Sequence, residues 1–136
     1  MVSITEHIFD NVRDQLDEIS SRHLLNKNFR GRLEDPDGLA VLTGKCGDTI
    51  EISLKFENNI VKEALYDTDG CSWSNICGSL AAEMSIGKDP DEILDITGEA
   101  IIEKLGSLPQ KEIHCAFLAS ESLLAAVHDF MIKTRK

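Results

Sequence analysis

The chain has 136 residues, 42% apolar and 28% charged, a globular balance at ordinary domain size that excludes disorder as the main state. Twenty-four acidic against fourteen basic side chains leave a formal charge of -10, which repels phosphate backbones and excludes nucleic acid as an expected partner. The start, Met1 to His7, lacks the basic flank and apolar run of a signal peptide, and no apolar stretch approaches the ~20 residues of a membrane span, so a soluble, cytoplasmic protein with no membrane partner is expected.

Ser3 and Glu6 form a capping box, and Ile8, Val12, Leu16 and Ile19 share one face, which predicts an amino-terminal helix reaching about Leu24. Residues 26–38 are polar and hold the turn cluster Glu34-Asp35-Pro36-Asp37-Gly38, so they read as a connection. Residues 39–42 are a short strand. Residues 49–56 then alternate strictly, with Ile50, Ile52, Leu54 and Phe56 on one face of a half-buried strand. Asn58-Asn59 tolerates positive φ and joins this strand to the next, residues 60–66, as an antiparallel hairpin. After Asp69-Gly70 the period turns helical through Ile76, Leu80 and Met84, ending at Gly87. Asp89-Pro90 followed by Glu92 opens another helix, and Ile101, Ile102 and Leu105 mark a further short one. Pro109 interrupts, and Leu123, Ala126, Val127 and Phe130 define a final helix of roughly fifteen residues. This order implies an α+β fold: a small three-stranded antiparallel sheet with helices packed on one face, the amino-terminal helix leading, in one domain spanning 1–136.

Four cysteines are too few for a disulfide-stapled scaffold and are expected as thiols in a reducing cytosol. Three sit at element ends: Cys46 between the first two strands, Cys71 between the third strand and a helix, Cys115 before or at the start of the last helix. If the sheet edge gathers those ends, three soft donors converge near helix starts that favour thiolate, and such a cluster binds zinc or iron–sulfur species. Gly44, Gly47 and Gly70 flank them, which suits ligand loops better than core packing. Cys77 falls beside the Ile76–Leu80 stripe and reads as apolar filler. Asp48 is either a further oxygen ligand or a turn residue, and His114 either a nitrogen ligand or a helix-start residue. His7, His23 and His128 lie on helical segments without a sequence partner and read as surface or structural.

Three ordered motifs, Cys46-Gly47-Asp48, Asp69-Gly70-Cys71 opening a serine-containing helix, and Ile113-His114-Cys115, make the chain resemble the U-type iron–sulfur cluster assembly scaffolds, the family of IscU, SufU and the amino-terminal domain of NifU. The resemblance implies a scaffold or carrier, not an enzyme. Such a protein takes persulfide sulfur from a cysteine desulfurase, binds iron, assembles a labile cluster and passes it to acceptor apoproteins. It also implies Cys46, Cys71 and Cys115 as ligands, Cys115 as sulfur acceptor, and Asp48 or His114 as the fourth ligand. The cargo implied is a 2Fe-2S cluster, or 4Fe-4S on a dimer, with zinc in the cluster-free form.

Departures from the family pattern are informative. The stretch Leu108-Pro109-Gln110-Lys111-Glu112 stands where the IscU branch carries Leu-Pro-Pro-Val-Lys, its chaperone-docking motif, and the reversed charge at Glu112 argues against an Hsp70-type chaperone as partner. The interval from Cys71 to Cys115 lacks the insertion typical of the SufU branch. Since the same thiolates suit tetrahedral zinc, the alternative reading is a zinc-bound SufU-like sulfurtransferase or sulfur carrier.

Overall fold

The alternating run around Ile50 becomes the central strand of an antiparallel meander in the computed structural model, which describes residues 29–134. The expected leading helix, with His7 and His23, lies outside the described residues. Strand β1 (Gly38–Thr43) pairs with β2 (Thr49–Glu57), and β2 with β3 (Ile60–Thr68), with Leu42 opposite Ile50 and Ile50 opposite Thr68. Asn58 and Asn59 take positive φ at the β2–β3 turn, as the asparagine pair foretells, and the register shifts between Lys55 and Phe56.

Four helices follow among the described residues: α1 (Ser72–Ser85), α2 (Pro90–Ile93), α3 (Gly98–Leu105) and α4 (Ile113–Thr134), the last preceded by a 3-10 turn over Gln110–Glu112. Asp89 and Glu92 form a reciprocal capping box at the start of α2, and Thr97 caps α3 by accepting from the Ala100 amide. Helices α1 and α4 lie against the face of the sheet that carries Ile50, Ile52 and Leu54, and bury Ile76, Leu80, Leu123 and Ala126 between them. At the far end of α4, Phe130 stacks on Phe56 with centroids 3.7 Å apart. Trp73, in the first turn of α1, packs partly buried against this core. Gly78 lets α1 approach the sheet, since a Cβ there would lie 2.8 Å from the Tyr66 ring.

The polar connection does more than link elements. Phe29 and Gly31 hydrogen-bond to both backbone groups of Tyr66 at 2.7 Å, the Leu33 amide donates to Ser53 Oγ, and Arg32 pairs with Glu51. Two sequence expectations are corrected by α4. It runs 22 residues (Ile113–Thr134) rather than about fifteen, starting two residues ahead of Cys115 and continuing past Phe130 through residues 131–134, which are exposed and carry no core-facing stripe. The stretch Gln110–Thr134 is also long and apolar enough, by length and composition, to cross a membrane. Half of that window is buried inside the fold, as expected of a helix packed against β1, β2, α1 and α3 together.

Candidate metal centre

Three element junctions meet at one end of the sheet. The β1–β2 turn is closed by the Gly44 amide donating to the Asp48 carbonyl at 2.9 Å and the Gly47 amide to the Gly44 carbonyl at 3.0 Å. Gly47 takes φ 91, a conformation that glycine alone adopts freely, and the turn presents Cys46 exposed at its tip. The β3–α1 junction is fastened to the base of that turn. Asp69 accepts from the Thr49 amide at 3.0 Å, and Thr68 Oγ1 donates to the Thr49 carbonyl at 2.6 Å. Cys71 is the N-cap of α1, exposed, with its carbonyl accepting from the Asn75 amide. Cys115 enters from the first turn of α4 with 0% exposure.

Ser74, itself fully buried, sits between these groups. Its hydroxyl donates to Asp48 Oδ2 at 2.8 Å and lies 3.6 Å from the Cys115 sulfur and 3.8 Å from that of Cys71. The Asp48 side chain therefore faces the thiols while its carbonyl closes the turn. Gly70 makes room for it, because a Cβ there would stand 2.6 Å from Asp48 Oδ2. The donor atoms fall into three sets, each within 4.8 Å: Cys46, Asp48 and His114; Asp48, Cys71 and Cys115; Glu112, His114 and Cys115. All five residues singled out from sequence are brought together, with Cys46 joined to the centre through Asp48 and His114 rather than directly to the other two sulfurs. His114 and Cys115, adjacent in sequence, do face each other, with Nε2 3.6 Å from the sulfur.

Burial pushes the Cys115 thiol up to about 12, the neighbouring Cys71 and Glu112 add to the shift, and the Ser74 hydrogen bond opposes it. Desolvation at this buried sulfur thus opposes the thiolate-favouring field expected of a helix start. A bound cation reverses that balance, since an adjacent positive ion stabilises the thiolate that burial disfavours. Cys77 is also pushed up by burial, and it lies wholly in the core, the filler that the Ile76–Leu80 stripe implies. His128 is exposed on α4 and belongs to none of the donor sets.

Two participants were missed as donors or spacers by sequence reasoning. Ser74 lies unsingled within the serine-containing helix that Cys71 opens, and Glu112 enters only as a charge reversal. The Glu112 carboxylate accepts from both thiols, at 3.7 Å from Cys115 and 3.9 Å from Cys71. Its spacing of three residues from Cys115 across the start of α4 is the signal that could have found it.

This arrangement offers thiolate, carboxylate and imidazole donors in a half-open cup, suited to a soft or borderline cation. Comparison with known proteins agrees with the topology and the motifs. The family described as NifU-like N terminal domain matches residues 17–136. Iron-sulfur cluster assembly scaffold protein IscU 1 of Archaeoglobus fulgidus is 36% identical over 115 residues, 84% of this chain and 75% of that protein. The Azotobacter vinelandii protein of the same description, IscU, is 34% identical over 116 residues, 82% and 90% respectively. Among solved structures, the amino-terminal part of a NifU-like protein from Brucella abortus superposes with a TM-score of 0.66 at 18% identity, covering 86% of this chain and 94% of that one.

Proposed function

Because the chain belongs to the NifU-like N-terminal domain family, we propose that it is an iron–sulfur cluster assembly scaffold, loaded on Cys46, Cys71 and Cys115 with Asp48 and His114 at hand as further ligands. The observation that carries this reading is the convergence of those five side chains from three junctions far apart in sequence. Iron and sulfide are the cargo here. Replacing a fourth thiolate by carboxylate or imidazole weakens the grip on iron, which suits a protein that must release what it builds.

Sulfur arrives as the outer sulfur of a persulfide on a cysteine desulfurase. The Cys115 thiolate attacks that sulfur, one S–S bond forms as another breaks, and the donor's thiolate leaves, with no net redox change. Two electrons per sulfane sulfur, from a separate reductant, are then required to reach sulfide. Cys115 is covered by Ser74, Glu112 and His114, so transfer requires the Glu112–His114 segment to move aside. Finished cluster passes to acceptor apoproteins by ligand exchange at the exposed Cys46 and Cys71. The four cysteines form no disulfides, so all of them are free to act as donors.

The test is anaerobic incubation with iron, cysteine, reductant and a cysteine desulfurase, with iron and acid-labile sulfide quantified. A labile coloured species, depleted in Cys115→Ala, is expected, and a colourless protein under conditions where an established scaffold assembles cluster overturns the reading. Persulfide mapping by alkylation and mass spectrometry should find the extra sulfur on Cys115; sulfur found only on Cys46 or Cys71 reassigns the acceptor. Stoichiometric zinc that survives dialysis, with persulfide uptake and no cluster, selects the zinc-bound sulfur-carrier alternative.

A further inference from the structure

Glu112 is the one donor at this centre that neither the cysteine motifs nor their flanks introduce. Its carboxylate oxygen stands 3.7 Å from the Cys115 sulfur and 3.9 Å from that of Cys71. A tetrahedral ion with metal–sulfur bonds of about 2.3 Å and metal–oxygen bonds of about 2.1 Å separates its sulfur and oxygen ligands by roughly 3.6 Å. The two measured edges are close to that span, and Cys71 and Cys115 already lie within 4.8 Å of each other. Glu112, Cys71 and Cys115 thus make a triad of donors that an ion fits with little movement.

This triad shares no residue with the set Cys46, Asp48 and His114, whose donor atoms also lie within 4.8 Å of one another. Resting on the scaffold reading, we infer that Glu112 is an iron ligand and that the centre takes two divalent ions: one on Cys71, Cys115 and Glu112, the other on Cys46, Asp48 and His114. Charge favours the pair. With all five ligating, three thiolates and two carboxylates carry five negative charges, of which two dications compensate four. Each triad mixes thiolate with oxygen or nitrogen, and leaves a fourth position for water or sulfide. The geometry also gives the charge reversal in Leu108-Pro109-Gln110-Lys111-Glu112 a use, since a lysine at this place offers the thiols no ligand.

Anaerobic titration of the full chain with cobalt(II) tests this without any desulfurase. Thiolate-to-cobalt absorption rising to saturation at two ions per chain is expected. Glu112→Gln should weaken one of the two ions at least about tenfold and shift its d–d bands, because an anionic ligand is lost there, while leaving the other ion in place. Far-UV circular dichroism and melting in chelator establish that the variant is folded. Saturation of the unaltered chain at one ion overturns the inference, as does Glu112→Gln with the stoichiometry, affinity and spectrum of the parent. If Glu112→Gln fails to fold, the stoichiometry of the parent chain still decides. Failure here is separable from failure of the scaffold reading: a chain that saturates at one cobalt yet builds cluster keeps the function and loses the second ion.

Discussion

The two sides of the metal centre are built in opposite ways. Cys71, Ser74 and Cys115 stand on the first turns of α1 and α4, and Ser74 and Cys115 are fully buried by the packing that buries Leu80 and Leu123. Cys46 stands on a hairpin tip beside Gly47, where an added Cβ would meet nothing within 4 Å. The helical side inherits its geometry from the core. The hairpin side is held by a few turn hydrogen bonds and faces solvent, so ligand exchange is easier there. The contrast teaches that donors of one centre can be fixed by a packed core on one flank and by local turn contacts alone on the other.

The largest test of this asymmetry removes one sulfur at a time. Cys115→Ala is expected to cut desulfurase-driven cluster absorbance to below about a tenth of the parent, while Cys46→Ala retains a clearly larger share, because the helical triad still holds an ion. Equal losses break the comparison. Next comes the glycine that seats Asp48. Gly70→Ala places a methyl 2.6 Å from Asp48 Oδ2 and 2.8 Å from Ser74 Oγ, and should destabilise the chelated protein by about 1–3 kcal/mol in denaturant titrations while lowering cobalt affinity. Ser74→Ala removes the hydroxyl that serves Asp48, and is expected to cost about 1–2 kcal/mol by the same measurement.

Titration sharpens the comparison in another way. Free cysteine ionises near 9.0 in the unfolded chain, whereas folded Cys115 holds its proton to about 12. Between those values the native state binds more protons than the unfolded state, so stability in chelator falls as pH rises. Melting followed from pH ~8 to ~11 should show that decline, and Cys115→Ala should flatten part of it, with buried Cys77 supplying a share of the remainder. A slope unchanged in Cys115→Ala would show that the helical side is wetter than its burial implies. The smallest effect belongs to the hairpin tip: Gly47→Ala meets no neighbour and should cost only about 1 kcal/mol of backbone strain.

Much of this was legible in sequence, for identifiable reasons. Strict alternation through Ile50, Ile52 and Leu54, the Asn58-Asn59 turn and the Asp89–Glu92 capping box are local signals that tertiary packing did not need to override. The cysteines were legible because each sits where one element hands over to the next. What escaped was set by distance in the chain. Ser74 reaches Asp48 across 26 residues, and Glu112 reaches Cys71 across 41, so neither pairing leaves a periodic trace. The length of α4 escaped for a different reason: residues 131–134 are exposed, so no core-facing stripe marks its last turn.

Trp73 is the single tryptophan of the chain, two residues past Cys71 and packed where α1 leaves the metal-bearing rim. The unlabelled protein thereby carries its own optical gauge. Open-shell iron or cobalt bound at nearby Cys71 is expected to quench that emission more than closed-shell zinc, a difference that native fluorescence titration checks.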